Sequence, residues 1–165
     1  MTEPTEPGGF SPEQRAGLDA RAADQDRTLA AMHQLEAALG AAAPGRETPW
    51  HDEVVGALRV LRDATAEEDD NANRVDSLLS DVKRTQPLLA SRVRALRAQY
   101  RQLRDAVDAL LREIDGAGDR PADVADIRQR TAWVLAGLRH QRARESDLLY
   151  EAYYDAFNAD LRHHG

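Results

Sequence analysis

The stretch LASRVRALRAQYRQLRDAVDALLREI, Leu89 to Ile114, decides the fold class. Its inward candidates are Leu89, Val93, Leu96, Tyr100, Leu103, Val107, Leu110 and Ile114, so steps of four and three alternate along the whole run. At ~100° per residue this spacing keeps one helix face apolar and leaves Arg, Gln and Asp for the others. A helix with one long apolar stripe needs helical partners, because helices in water are held mainly by burying such a face. One member of the stripe, Tyr100, takes a hydroxyl inward with its ring.

Working outward, the neighbouring segments read the same way. Ser11 predicts an N-cap, with Pro12 at the first helical position and Gln14 completing a capping box. The first helix then runs to Leu39, with Gly40 just past its end. Thr48 and Pro49 predict a second start near Trp50. That second helix is expected to bend or break in EEDDNAN, Glu67 to Asn73, where acids crowd and Asn is a poor helix former. It resumes through VDSLLSDV and ends before Pro87. The third helix covers Pro87 to about Ile114, DGAGDRP breaks the chain, and a fourth helix runs from near Pro121 to about Arg162. Residues 1–10 read as a flexible tail and residues 11–165 as one domain. No strand-like alternation and no internal repeat is present, so the expected fold is all-α, an up-down-up-down four-helix bundle.

Composition agrees with that class and removes others. The 165 residues are 42% hydrophobic and 31% charged, as in globular proteins with a core. A net charge of −7 disfavours nucleic acid and anionic membranes as partners. The absence of cysteine excludes thiol catalysis, disulfides and iron–sulfur clusters. No run approaches the ~18 apolar residues of a membrane span, and the acidic, Pro/Gly-rich start is unlike a secretory signal, so a cytoplasmic location is expected. No serine–histidine–acid set and no phosphate-cradling glycine loop can be read, which favours binding over catalysis.

The stripes themselves carry the functional signal. The first helix gives Leu18, Ala22, Gln25, Leu29, Met32, Glu36 and Leu39 as inward positions. The second gives Val54, Leu58, Leu61, Thr65 and Glu68, then Ala72, Val75 and Leu79. The fourth gives Ile127, Val134, Leu138, Gln141, Glu145, Leu149, Ala152 and Ala156. Glu36, Thr65, Glu68, Tyr100, Gln141 and Glu145 are therefore expected to meet as a polar core. Buried carboxylates need cations, protons or hydrogen-bond donors. Either a hydrogen-bonded network, with Tyr100 donating to Glu145 or Glu36, or a divalent metal meets that need.

Three segments carry a family resemblance: MHQLEAAL with AAAPGRETPW after it, the run from Asp63 to Leu103, and RHQRARESDLLYEAYYDAFNADL. In order and character they resemble the hemerythrin-like (HHE cation-binding) domains of bacteria. The resemblance implies a four-helix bundle around a non-haem di-iron site held by histidines and carboxylates, used to bind or sense oxygen, nitric oxide or iron. On that pattern His33 matches the first-helix ligand, Glu67 or Glu68 the second-helix acid, and His140 with Glu145 the fourth-helix pair. The second helix lacks the family's His, and Tyr100 stands where the third helix has another. By helical phase His33 lies ~100° from its stripe centre and His140 farther round. The expectation is a degenerate hemerythrin-like domain that acts as a binding, sensing or scaffolding module for a small ligand or protein partner. The alternative is a carboxylate-rich non-haem iron protein with ligands drawn from His33, Glu67, Glu68, His140 and Glu145.

Overall fold

A computed structural model describes residues 8–41, 43–116 and 123–164. Within them the chain is all-α: α1 (Pro12–Gly40), α2 (Glu47–Ala72), α3 (Leu78–Thr85), α4 (Ala90–Asp115), α5 (Val124–Ala152) and α6 (Tyr154–His163), with a 3-10 turn at Pro87–Leu89. Ser11 caps α1 as its sequence requires, its hydroxyl accepting from Gln14 N while the Gln14 side chain accepts from Ser11 N. Residues 1–7 of the expected tail, and Pro121 at the expected start of the fourth helix, lie outside the described residues. Phe10 is not tail-like, since its ring packs on Tyr153 and Phe157.

The long helices pair antiparallel, which residue numbers alone reveal. Thr28 meets Glu68 and Asp24 meets Asn71 between α1 and α2. Arg104 meets Asp69 and Arg59 meets Asp115 between α2 and α4. Arg144 meets Gln99 and Arg130 meets Glu113 between α4 and α5. Arg21 meets Glu145 and Arg139 meets Glu36 between α5 and α1. In every pair one number rises as the other falls.

Two apolar clusters fill the interior. One joins Met32, Leu35, Trp50, Leu58, Leu61, Leu103, Val107, Val134 and Leu138. The other joins Leu78, Leu79, Val82, Val93, Leu96, Leu148, Leu149 and Tyr153, so the short α3 is roofed into the core at one end. Each fully buried Leu contributes about 2 kcal/mol by leaving water. All eight expected inward positions of Leu89–Ile114 are buried.

Two expectations about the second helix fail, and the expected interruption at Glu67–Asn73 comes at the end of that stretch: the acids stay helical and α2 ends at Ala72 with Asn73 as its C-cap. The acids that should repel are spread round the helix: Glu67 meets Arg27, and Asp69 and Asp70 both meet Arg104. Tertiary ion pairs thus override a weak local propensity. The break falls just after, where the Ser77 hydroxyl donates to Ala72 O at 2.9 Å and accepts from Ser80 N at 3.2 Å, ending α2 and starting α3 with one side chain. Val75, expected inward, lies in this link and is 90% exposed. The helix also starts at Glu47 with Arg46 as N-cap, so Thr48 and Pro49 fall inside its first turn. The fourth expected helix is likewise two, α5 and α6, separated at Tyr153.

Two glycines in helix interiors give contrasting tests. A Cβ on Gly56 would meet nothing within 4 Å, whereas one on Gly17 would lie 2.9 Å from Leu78 Cδ2 and 3.0 Å from Leu78 Cγ. Gly56→Ala should therefore raise stability by about 1 kcal/mol through helix propensity. Gly17→Ala should lower it by about 1 kcal/mol, because displacing buried Leu78 outweighs the same gain. Urea unfolding of the two variants beside the parent chain checks both signs.

Candidate functional site

Between the two apolar clusters lies a polar layer. Asp24, Thr28, Thr65, Asp69, Gln141 and Glu145 are all buried there, with Tyr100 beside them and Glu68 partly buried. Each long helix contributes, since positions three or four apart on α1, α2, α4 and α5 fall on one inward face.

Tyr100 is the hub. Its hydroxyl lies 2.7 Å from Glu145 Oε2 and 3.1 Å from Glu68 Oε1. A phenol has one proton, so it donates to one carboxylate only. The shorter contact assigns that proton to Glu145. The Glu68 contact is completed when Glu68 is itself protonated and donates to the phenol oxygen. The Thr28 hydroxyl donates to the other Glu68 oxygen at 2.5 Å.

The carboxylates are not equally compensated. Glu145 has Arg21, whose Nε is 3.3 Å from Oε1. Asp24 has Arg27 at 3.1 Å and accepts twice from the Asn71 amide. Asp69 has Arg104 at 3.0 Å and accepts from Asn73. Among the described residues Glu68 has two hydroxyls and no cation. Burial, aided by the charges of Glu145 and Asp24, pushes its carboxyl up from 4.5 to about 6 against the pull of the two hydroxyls. Burial and the carboxylates of Glu145 and Glu68 hold the Tyr100 phenol well above its usual range, so it remains a donor.

Two spaces adjoin this layer. A cavity of about 30 Å³ is lined by Gln25, Thr28, Thr65, Glu68, Tyr100 and Gln141, with Leu29, Met32 and Leu138 among its apolar walls. A groove of about 1000 Å³ opens between the first half of α1 and the α2–α3 corner, and Asp24, Glu68, Tyr100 and Glu145 are among its lining residues. Glu68 and Tyr100 thus face both spaces.

The sequence expectations divide cleanly. Thr65, Glu68, Tyr100, Gln141 and Glu145 come together as expected. Glu36 does not join them: it lies nearer the surface and pairs with Arg139. His33 and His140 are exposed, and Glu67 turns outward to Arg27. A di-iron centre needs imidazole and carboxylate donors converging on one point. No three His, Asp or Glu side chains among the described residues do so. The donors present do not fit that centre. Asp24, Thr28 and Arg21, by contrast, were missed. Alanine on every face of α1 hides its inward side, yet the series Asp24, Thr28, Ala31 and Leu35 carries the correct phase.

Comparison of the chain with models of known families, with curated proteins and with solved structures found no match. Among the described residues no helix is long and apolar enough to cross a membrane.

Glu68 holds its proton more tightly folded than unfolded, so between pH 4.5 and about 6 the folded state carries more protons. The contribution of this group is full at lower pH and is lost as pH rises through about 6, a change of about 2 kcal/mol. Glu68→Gln should remove this slope and raise stability at neutral pH by about 1–2 kcal/mol, read from urea unfolding across the acidic range. Tyr100→Phe should do the opposite, costing about 2 kcal/mol, because it leaves Glu145 and Glu68 without their shared hydroxyl.

Proposed function

We propose that this chain is a cytoplasmic binding or sensing module built on an up-down-up-down four-helix bundle, a degenerate relative of the hemerythrin-like domains. In this reading its interior polar layer recognises a small ligand without di-iron chemistry. One observation carries it: a carboxylate that makes no ion pair among the described residues, Glu68, is kept in a largely buried layer and forms a wall of both a cavity and a groove. A purely structural layer would favour a paired or neutral group at that position, since an uncompensated buried charge costs stability.

The antiparallel order α1, α2, α4, α5, closed by Arg21 on Glu145, supports the bundle. Tyr100 supports the degenerate reading: a hydroxyl bonded to Glu145 occupies the position where the resemblance implies a metal-bound imidazole. The iron alternative would need His33 and His140 beside Glu68 and Glu145, and both imidazoles lie on exposed faces.

The test is a fragment screen by NMR, with small cationic, anionic and neutral polar compounds added to the labelled chain. At least one charge class should saturably shift the ring of Tyr100 and the side-chain amides of Gln14 and Asn71, which line the groove. If none of the three classes does so, the layer is structural and the reading falls.

A further inference from the structure

Four side chains around the small cavity have hydrogen-bonding capacity to spare. The Gln25 side-chain nitrogen is buried without a hydrogen-bond partner. The Gln141 amide, on a residue only 3% exposed, lines the same cavity, and no group among the described residues bonds to it. The Thr28 proton goes to Glu68 and the Thr65 proton to Arg62 O, so both threonine oxygens have lone pairs left. Buried amides are rarely left unpaired, and two around one cavity point to an occupant.

Size and charge narrow the occupant. A cavity of about 30 Å³ has room for one or two water-sized occupants, which excludes drug-sized organic ligands. Its ionisable wall groups are Tyr100, Arg142 and Glu68, and Glu68 makes no ion pair with Arg142 or with any other cation among the described residues. Amide rotation lets Gln25 and Gln141 present oxygen inward. The acceptors are then one carboxylate, two amide oxygens and two hydroxyl oxygens. A divalent metal ion would want more than the single carboxylate this cavity offers. An ion with four tetrahedral N–H donors needs only four acceptors.

Resting on the reading above, we propose that this cavity is a site for the ammonium ion, with Glu68 as its counter-ion and Gln25 and Gln141 as its orienting acceptors. Glu68 and Tyr100 also face the groove, which gives the ion its approach from solvent.

Ammonium chloride, potassium chloride and tetramethylammonium chloride are titrated into the full chain at matched ionic strength. The titration is run at about pH 8, where Glu68 is ionised. Ammonium should shift the Gln25 and Gln141 side-chain signals saturably and raise Tm. Potassium, similar in size but without donors, and tetramethylammonium, too large, should do neither. Glu68→Gln should weaken ammonium binding about tenfold or more, from loss of a charged hydrogen bond. Glu67→Gln, one residue away but outward, should leave it unchanged. Equal responses to potassium, unaltered binding by Glu68→Gln, or no saturable shift would overturn the site and leave the cavity to a bridging water. If anionic or neutral fragments bind at this layer and ammonium does not, only the ion is wrong. If nothing binds, the binding reading fails with it.

Discussion

One proton shared between two carboxylates constrains the interior of this protein. The Tyr100 hydroxyl sits within hydrogen-bond reach of Glu145 and Glu68, which come from helices on either side of it. It can satisfy only one of them as a donor. Glu145 is held from the far side by Arg21, whose Nε faces its Oε1. Glu68 has no such support, and its charge state becomes the variable in the layer. The register of α1 against α2, and of both against α4 and α5, must keep Thr28 beside Glu68, Arg21 beside Glu145 and Tyr100 between the two acids. A slip of one turn would strand buried carboxylates without donors.

The same layer divides the hydrophobic interior. One apolar cluster is carried by the long helices, packed round Trp50 and Leu61. The other depends on short pieces, with α3, the Pro87–Leu89 turn and α6 closing over Leu149 and Tyr153. Short elements are the parts of a structure that open at lowest free energy. The groove lies on this second side, against α3. The groove that reaches the polar layer is thus walled in part by an eight-residue helix and its serine cap.

How much of this could be read in the sequence varied with contrast between faces. In α4, large apolar residues alternate with arginines, and the inward face was plain down to Tyr100. In α5, Gln141 and Glu145 interrupt an otherwise apolar stripe, which marked them as unusual. In α1, alanines on all sides flatten the contrast, and the inward face was placed one residue off. That error lost Asp24 and Thr28 and gave weight to Glu36. The histidines were a different kind of error, since the resemblance supplied a role that their helical phase already opposed.

The acid run of α2 shows why local propensity misled here. Read alone, Glu67 to Asp70 is a set of like charges that should weaken a helix. In three dimensions the helix turns each to a different neighbour: Glu67 to Arg27, Asp69 and Asp70 to Arg104, Glu68 to the interior. The three paired acids clamp α2 to α1 and α4 on both sides of Glu68. These pairs set the rotation of α2 that turns Glu68 inward, where a carboxylate without a cation costs stability. The acids that open the expected interruption thus hold Glu68 in place, and the helix ends at Ala72, inside that stretch.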